Sequence, residues 1–344
     1  MALTYTTLNV TTLAAVLRYI TNVWFIKDPL LNILMEKMET FDGIRIEVPL
    51  EYADPDLSQF TGRMVPFNVG LSSPLTKAYY DPKTNTTPLA IPWEDKVDNK
   101  GEGKIFDVVT VLTENLIRSV RHKFATAIWT RSTPGANDFH SLDQLIGTGT
   151  IGGIAPADMG TASLWQSQLI DVVATYNDDP AVETNLLDEN SDVYILNLLE
   201  RATLLASYLD EGPDIGMTSP YLFSIARRAF FRKFGGSPVD KRMVNAGIEH
   251  IVYLNTTWFA SHYCAAAQTG DTDGRIYAIS TDAIKYRFNS EAKPFVFETP
   301  VTMQNVNADV HKLLCRGNMV ISNRRRCCRL YNGIKSPKAF AAPA

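Results

Sequence analysis

The clearest helical pattern in this chain of 344 residues lies between Glu102 and Arg131. Apolar side chains recur there at intervals of three and four residues from Ile105 to Ile128, and neither proline nor glycine interrupts them after Gly103. At 1.5 Å per residue the segment predicts a helix of about 40 Å. A helix of this length is typical of a girder that joins separated parts of a molecule.

Other helical patterns occupy residues 8–40, 162–176, 190–213 and 221–234. Within the first of them, Pro29 restarts the pattern, so this arm predicts one or two short helices with an apolar face. The last begins after Ser219 and Pro220, which suit a helix N-terminus, and ends at Gly235. These signals predict a helix-rich middle of the chain.

Strand patterns dominate two other regions. The stretch "GIRIEVPLEYA" (43–53) alternates apolar and polar residues, and the prolines and turn residues that follow it up to Trp93 predict an extended projection built from strands. From Ile248 onward, strands are predicted at 248–255, 274–280, 293–301 and 310–322, the last folded into a hairpin at Arg316-Gly317-Asn318. Helices and strands in separate runs indicate an α+β fold.

Length and composition place the chain among folded globular proteins. Its 344 residues suggest about two lobes, and 45% hydrophobic with 20% charged residues exclude a disordered or fibrous chain. A net charge of -4 argues against a protein whose main task is to coat nucleic acid. Four cysteines near the C-terminal end do not make a secreted disulfide scaffold, so we expect a reducing compartment.

Targeting and membrane signals are also lacking in the sequence. The first basic residue, Arg18, follows the apolar positions of the N-terminal segment, which is the reverse of a signal peptide. No run of about 18 apolar residues occurs, so no membrane-spanning helix and no membrane partner is expected.

The stretch "GTGTIGG", from Gly147 to Gly153, has the spacing of the dinucleotide fingerprint G-x-G-x-x-G. That fingerprint needs a strand before the loop and a long helix that begins within it. Here Pro156 and Gly160 follow closely and prevent such a helix. The sequence favours a loop that needs positive φ angles or close packing. An NAD(P)-linked oxidoreductase that uses Gly147, Gly149 and Gly152 stays open as an alternative.

No other catalytic or metal motif stands out. The hydrolase elbow, the phosphate loop and the zinc motif H-E-x-x-H do not occur. A metal site could be imagined from His262, Cys264, Cys315, Cys327 and Cys328. Because no C-x-x-C spacing occurs and adjacent cysteines rarely ligate one ion together, we expect no metal, no cofactor and no enzymatic activity.

Basic residues are concentrated at two places. The stretch "NRRRCCRLYN" carries the arginines Arg324, Arg325, Arg326 and Arg329. They are candidates for contacts with DNA, for ion pairs between or within subunits, or for an inert strand end. The helix predicted at 221–234 combines Phe230 and Phe231 with basic residues; its aromatic side chains are expected to pack in a domain core rather than on a membrane.

Four stretches resemble the major capsid proteins of tailed bacteriophages, which have the Hong Kong 97 fold. Residues 141–171 are similar to that family's segment in which a short helix leads to an I-G-G-I turn and a polar stretch with Trp. Residues 214–230 look like its strand, Thr-Ser turn and helix, 251–259 like its "yLNt" strand, and 313–334 like its closing "GNxVxSNrRR" hairpin. The four matches follow the family's order along most of the chain.

The resemblance implies four regions: an N-arm (1–42), an extended E-loop (43–97), a P-domain built on the long spine helix (98–165, with strands near 291–335 returning to it) and an A-domain (166–290). It implies a shell subunit that self-assembles as hexamers and pentamers into an icosahedral capsid around double-stranded DNA. Expected partners are other copies of the chain, a separate scaffolding protein, a portal and non-specifically bound DNA. Another virion protein, of the tail or connector, remains an alternative.

The resemblance also implies a location and a hinge. The protein is expected in the virion, after assembly in the host cytoplasm. The glycine loop would lie where the P-domain passes into the A-domain, and small φ and ψ changes there would let the two tilt. The expected hinge residues are Gly147, Gly149, Gly152 and Gly153.

Overall fold

A computed structural model describes twelve parts of the chain: residues 28–51, 75–94, 108–131, 135, 137–156, 165–176, 183–207, 211–234, 250–265, 274–292, 301–302 and 307–331. The helices predicted before residue 28 and the tip of the predicted E-loop, 52–74, lie outside the described residues. The described part is a mixture of helices and strands, as the α+β prediction requires.

Five strands form the first sheet: β1 (Glu39–Phe41), β4 (Lys83–Pro92), β10 (Ile284–Asn289), β11 (Val301–Thr302) and β12 (Ala308–Ile321). The long strand β12 is its axis. It pairs antiparallel with β4 along most of its length and with β10 near its C-terminal end. Helix α1 (Pro29–Glu36) and the long helix α2 (Val108–Ile128) contribute to the same hydrophobic core as this sheet.

Six strands form the second sheet: β5 (Gln168–Asp171), β6 (Ile215–Thr218), β7 (His250–Tyr253), β8 (Thr256–Ala260), β9 (Ile276–Ile279) and β13 (Cys328–Tyr331). Their spatial order is β5-β13-β9-β6-β8-β7. Alternate side chains of β9 serve two cores: Ile276 and Ala278 face one and Tyr277 and Ile279 the other. The core on the side of Ile276 and Ala278 also contains residues of two helices, α6 (Ile195–Ala206) and α7 (Pro220–Phe234).

A pair of strands forms a third, two-stranded sheet whose buried side chains belong to the core of the first sheet. Strand β2 (Ile46–Glu51) pairs antiparallel with β3 (Leu75–Tyr80), and its residues alternate between buried and exposed. The strand predicted at 43–53 is therefore confirmed. The remaining helices are short: α3 (Leu142–Leu145), α4 (Val172–Thr175), α5 (Glu183–Leu187) and α8 (His262–Ala265).

The helices predicted at 102–131, 190–213 and 221–234 are confirmed in the described residues by α2, α6 and α7. Helix α2 spans 21 residues, and the start predicted at Glu102 lies outside the described part. Helix α7 begins at Pro220 with the Ser219 hydroxyl oxygen accepting a hydrogen bond from the Leu222 amide at 3.4 Å. None of the described helices is both long and apolar enough to cross a membrane.

The hairpin predicted at Arg316-Gly317-Asn318 is wrong. These residues continue β12, and Gly317 pairs with Lys83 on one side and Phe288 on the other. A Cβ atom at Gly317 would lie 2.5 Å from the Arg287 carbonyl oxygen. The glycine therefore allows a close approach of two strands and does not mark a turn.

The helix predicted at 162–176 is also wrong. Residues 168–171 form β5, which pairs parallel with β13, and among the described residues 165–176 only the four residues of α4 are helical. The Asp171 carboxylate accepts a hydrogen bond from the Ala174 amide at 3.0 Å and caps this short helix. Strand pairing with a distant segment overrides the local helical period.

The two sheets do not follow the predicted domain limits. Strand β10, within the range assigned to the A-domain, lies in the first sheet, and β13, within the range assigned to returning P-domain strands, lies in the second. The chain crosses between the sheets more often than the linear division implies, and the four-region division remains a prediction.

Candidate functional site

The glycine loop lies at a junction of three parts of the fold. It follows α3, and the Gly152 carbonyl accepts a hydrogen bond from the Tyr79 amide of β3 at 2.9 Å. The Gly147 carbonyl accepts from the Ser167 amide just before β5, at 3.3 Å. The Ile151 carbonyl accepts from the indole N–H of Trp165 at 3.1 Å. The loop thus connects the β2–β3 pair to the edge of the second sheet.

Arg324 lies at the centre of this junction. Its side chain is fully buried, with 0% of the residue exposed. The Nε atom donates to the Leu145 carbonyl at 3.1 Å, and Nη1 donates to the carbonyls of Gly149 at 2.7 Å and Trp165 at 2.9 Å. Nη2 donates to the Gly147 carbonyl. One guanidinium therefore joins the residues on both sides of the glycine loop.

Burial removes water from the charged guanidinium of Arg324, which disfavours its charged form. Desolvation lowers the pKa of its guanidinium to about 10, while the nearby Tyr80 and Cys327 act in the opposite direction. The side chain remains cationic at neutral pH. Backbone carbonyl dipoles, together with the ring of Trp165 at 5.9 Å, stabilise the charge in place of a carboxylate.

This arrangement is the opposite of a nucleotide-binding loop. A pyrophosphate is held by backbone N–H groups at the start of a helix. Here the carbonyl oxygens of Gly147 and Gly149 converge on a cation, and Ile151 and Ile154 form a tight bridge where the helix would have to begin. The loop geometry does not support the oxidoreductase alternative.

The four glycines of the loop differ in their φ angles and in the space available for a side chain. Gly152 and Gly153 have φ angles of 63° and 76°, in the left-handed region. A Cβ atom at Gly152 would also lie 2.8 Å from the Cβ of Ala78. At Gly149 a Cβ atom would meet nothing within 4 Å. The predicted hinge role of Gly147, Gly149, Gly152 and Gly153 stays a prediction, and the hydrogen bonds of the loop fix it in this conformation.

The other arginines of the cluster lie closer to the surface and bind carboxylates of the same chain. Arg329 pairs with Asp143 at 2.9 Å, and Arg326 pairs with Glu211 at 2.8 Å. Arg325 is half-buried. Ion pairs within the chain were one of the alternatives for this cluster. Arg324 instead donates from all three of its guanidinium nitrogen atoms to backbone carbonyls of the same chain. A contact of this cluster with DNA or with another subunit stays a prediction.

The Asp143 carboxylate organises a second polar centre that the sequence patterns did not indicate. It accepts hydrogen bonds from the Tyr277 hydroxyl at 2.7 Å and from Arg275, in addition to Arg329. Its side chain is only 11% exposed. This centre ties α3 to β9 and β13 and so fixes the loop from its other end.

A third buried polar centre lies where the described part of the N-terminal region begins. The Asp28 carboxylate accepts hydrogen bonds from the Trp129 indole at 3.0 Å, the Ser261 hydroxyl at 2.7 Å and the Leu31 amide at 3.3 Å. Burial raises the pKa of this carboxyl, while these donors lower it. The only signal in the sequence is an aspartate directly before the proline of α1, which is a helix-cap pattern.

The cysteines and histidines form no reactive cluster in the described part of the chain. All four thiols are buried and free, and burial raises the pKa of Cys264, Cys327 and Cys328 to about 12. Among the described residues, no three His, Cys, Asp or Glu side chains are grouped so that they could hold a metal ion.

Comparison with solved structures shows what fold this is. The chain is similar to a subunit in the capsid asymmetric unit of cyanophage A-1(L), with a TM-score of 0.60 and 12% identity over 92% of this chain and 96% of that chain. It is also similar to a capsid subunit of a native GTA particle (TM-score 0.56, 6% identity, 92% and 95% covered). No protein-family profile and no curated protein sequence matches it.

The chain has the Hong Kong 97 fold of tailed-phage capsid proteins. The same fold is found outside phages: the holo-SrpI encapsulin complex of Synechococcus elongatus PCC 7942 contains a chain with a TM-score of 0.50 and 8% identity, over 94% of this chain and 95% of that chain. At such identities the likeness concerns the fold. The alignments cover more than nine-tenths of this chain and of each of these chains, so the likeness is not confined to one lobe.

Three exposed apolar side chains of this capsid fold lie on or beside the β2–β3 pair. Ile44 is 84% exposed and Leu75 is 68% exposed, and both lie at ends of the two strands. Tyr79 on β3 and Trp93 just after β4 are also about half exposed. Large apolar groups that remain in water on a single chain mark surfaces that a partner can cover.

Proposed function

We propose that this chain is a major capsid protein that self-assembles as hexamers and pentamers into an icosahedral shell enclosing double-stranded DNA. The observation that carries the proposal is the structural match of 92% of the chain to capsid subunits in each of two capsids. A match over both lobes supports a shared mode of assembly more strongly than a match of one lobe, because neighbouring subunits in a closed shell contact several parts of each chain.

The surface of the described residues supports self-association. Ile44, Leu75 and Tyr79 present apolar area along the β2–β3 pair, which belongs to the predicted E-loop. These side chains would be buried by a neighbouring copy in a shell. The division into N-arm (1–42), E-loop (43–97), P-domain (98–165 with strands near 291–335) and A-domain (166–290) is part of this proposal, with β10 and β13 exchanged between the last two as the sheets indicate.

The buried polar centres supply rigidity to such a subunit rather than chemistry. Arg324, Asp143 and Asp28 each connect segments that are distant in sequence, and their partners are structural groups of the chain. The cysteine thiols are held un-ionised by burial. We therefore propose that the protein is not an enzyme and that it works through its surfaces.

The remaining partners follow from the same proposal. A net charge of -4 leaves little surplus for binding DNA tightly, so contact with packaged DNA would be non-specific and local. Assembly would use a separate scaffolding protein and a portal, in the host cytoplasm, and the product would be the virion capsid. A tail or connector protein remains the second possibility, but the full-length match to capsid subunits favours the shell.

The direct test is to produce the full chain, alone and together with a scaffolding protein from its source, and to measure particle size by sedimentation velocity and negative-stain microscopy. We expect rings of five and six subunits or closed shells. A chain that stays monomeric in both preparations, over a wide range of protein and salt concentrations, would contradict the proposal.

The DNA content of purified particles tests the second half of the proposal. Particles from a producing host should contain double-stranded DNA that survives nuclease treatment and is released on opening the shell. The encapsulin likeness makes this experiment decisive, since the same fold occurs outside phages. If shells from the natural source never contain DNA, the assembly proposal stands and the packaging proposal is wrong.

A further inference from the structure

One face of helix α7 forms the floor of an open groove. Its lining residues recur at helical spacing along α7, at Pro220, Phe223, Arg227 and Phe231, and the rim is completed by Ala260 and His262 from β8 and α8. The cavity has a volume of about 560 Å³. Phe231 is 45% exposed although it is a large apolar residue. We call this surface the α7 groove.

The charge of the α7 groove is positive. Arg227 and Arg228 line it and are exposed, and the Arg227 guanidinium lies over the Phe231 ring at 5.8 Å from its centre. Helix α7 contains no aspartate or glutamate along its 15 residues. An apolar floor with a cationic rim fits a segment that carries carboxylates next to apolar atoms.

The chain carries a matching surface of opposite charge. The loop of residues 188–192, between α5 and α6, exposes Asp188, Glu189 and Asp192. We call it the acidic loop. Val193 and Tyr194 follow it, and the Lys233 ammonium of α7 lies over the Tyr194 ring at 5.8 Å. The acidic loop therefore lies beside the C-terminal end of the same helix.

The groove and the acidic loop lie on opposite sides of α7. A helix of 3.6 residues per turn rotates by about 100° per residue, so Lys233 points roughly 200° away from Phe231, two positions before it. Lys233 contacts the segment next to the acidic loop, whereas Phe231 lines the groove. Because the two patches face different ways from α7, a contact between them joins one copy to the next head to tail, and such contacts can close into a ring.

We propose that the α7 groove of one copy receives the acidic loop of the next copy in a ring. This inference rests on the proposed function and names one of its contacts. The chain has a net charge of -4, so its own surface offers the carboxylates that a cationic groove needs. Arg227 and Arg228 pair with Glu189 and Asp192 of the neighbour, and apolar atoms of the acidic loop cover Phe231.

The test uses two charge-reversed variants of the full chain. R227E/R228E has an acidic groove and an acidic loop, whereas E189K/D192K has a basic groove and a basic loop. Each variant repels itself at the proposed contact, and a mixture of the two restores attraction at every contact. We expect self-association of each variant to fall roughly tenfold or more below wild type and the equimolar mixture to recover it, as measured by sedimentation velocity.

The mixture makes a second, geometric prediction. A ring in which the two variants alternate closes only with an even number of subunits. Negative-stain images of the mixture should therefore contain rings of six and none of five, whereas wild type forms both. Circular dichroism and thermal unfolding confirm that each variant folds, and R227K/R228K, which keeps the charge, should associate like wild type within about threefold.

The outcomes separate the contact from the proposed function. If wild type assembles and R227E/R228E assembles equally well, the contact is wrong and the capsid proposal stands. If that variant assembles normally but its particles lose DNA in a salt-dependent way, the groove binds nucleic acid instead. If wild type forms no particles, the capsid proposal fails, and the mixture still decides the contact: no gain in association over the separate variants overturns it.

Discussion

Arg324 and the pair Arg227 and Arg228 carry the same chemical group in opposite surroundings. Arg324 is fully buried at the glycine-loop junction and donates to four backbone carbonyls. Arg227 and Arg228 are exposed on one face of α7 and border an apolar groove. A guanidinium buried among backbone carbonyls supports the fold from inside, whereas an exposed pair lies where a second molecule can reach it.

The comparison shows that clustering in sequence does not identify a binding surface. Arg324, Arg325 and Arg326 are consecutive, and this run is the most basic stretch of the chain. Its first member is an internal support, and its third forms an ion pair with Glu211 of the same chain. Helix α7 carries the other basic stretch of the chain, and there Arg227 and Arg228 are exposed and line the groove. Burial, and not clustering, distinguishes the two.

Removing the buried guanidinium should have the largest effect on stability. In R324A four carbonyls lose their donor, three of them in buried hydrogen bonds, and we expect the free energy of unfolding to fall by about 3 to 5 kcal/mol. R324K should recover only part of this, because one ammonium group cannot reach carbonyls on several sides. Urea unfolding of the unassembled chain, followed by tryptophan fluorescence, measures both.

The control for Arg324 is its neighbour in sequence. R325A changes the same type of side chain at a half-buried position and should cost less than about 1 kcal/mol. Equal losses for R324A and R325A would show that the carbonyl contacts do not make Arg324 special.

A series of glycine substitutions tests the backbone of the same junction. G152A introduces a left-handed alanine whose Cβ would lie 2.8 Å from the Ala78 Cβ, so we expect a loss of about 2 to 4 kcal/mol. G153A has the backbone strain without the clash and should lose about 1 kcal/mol. G149A has open space and no positive φ, and its stability should stay within about 0.5 kcal/mol of wild type.

The order of the three values is the informative result. Chemical denaturation of the three variants under the same conditions gives it directly. If G149A is as damaging as G152A, the loop has a conformation different from the one described. If all three are neutral for stability but slow a change in shell size, the predicted hinge gains support.

A pH dependence should come from His140, which lies near the same junction. Its ring packs edge-on against Tyr80 at 5.7 Å, and its Nδ1 lies 3.1 Å from the Asn318 side-chain oxygen. Desolvation lowers the pKa of His140, with Lys83 acting in the same direction and Asn318 and Asp81 opposing it. The unfolded chain therefore binds a proton that the folded chain rejects, and stability is lost as pH falls through 6.5 and below.

The variant H140Q should flatten this slope. Unfolding free energies between pH 5.5 and 8 measure it, and the comparison at pH 8, where the imidazole is neutral in both states, gives the packing cost of the substitution alone. An unchanged slope in H140Q would assign the pH dependence to another group.

Asp28 acts in the opposite direction, because burial raises the pKa of its carboxyl and its contribution to stability falls as pH rises through that pKa.

Local signals explain which elements the sequence could predict. Helices α2 and α7 follow a 3.6-residue apolar period, and the N-terminus of α7 is marked by Ser219 and Pro220, so both were predicted correctly. The period at 162–176 is equally regular, but strand β5 depends on pairing with β13, whose residues are 160 positions later. No local pattern contains that information.

The candidate site was predictable only in part, for a similar reason. Glycine in the loop was correctly taken to mean positive φ and close packing, as Gly152 demonstrates. The partners of Arg324 are backbone carbonyls between 159 and 179 positions away. Because every residue has a backbone carbonyl, the sequence does not indicate which ones accept these hydrogen bonds. The aromatic residues of α7 divide between Phe230 in the core and Phe231 in the groove, which only the packed structure distinguishes.

The smallest effect on the free energy of unfolding is expected for charge reversal at Arg227 and Arg228. R227E/R228E reverses two charges on an exposed helix face, and we expect its unfolding free energy to stay within about 0.5 kcal/mol of wild type. The reason is that water solvates either sign equally well there, whereas no solvent reaches Arg324. Urea unfolding of the unassembled variant beside R324A measures the contrast. If R227E/R228E lost several kcal/mol, the α7 arginines would be structural like Arg324, and a loss of assembly in that variant would report unfolding instead of a missing contact.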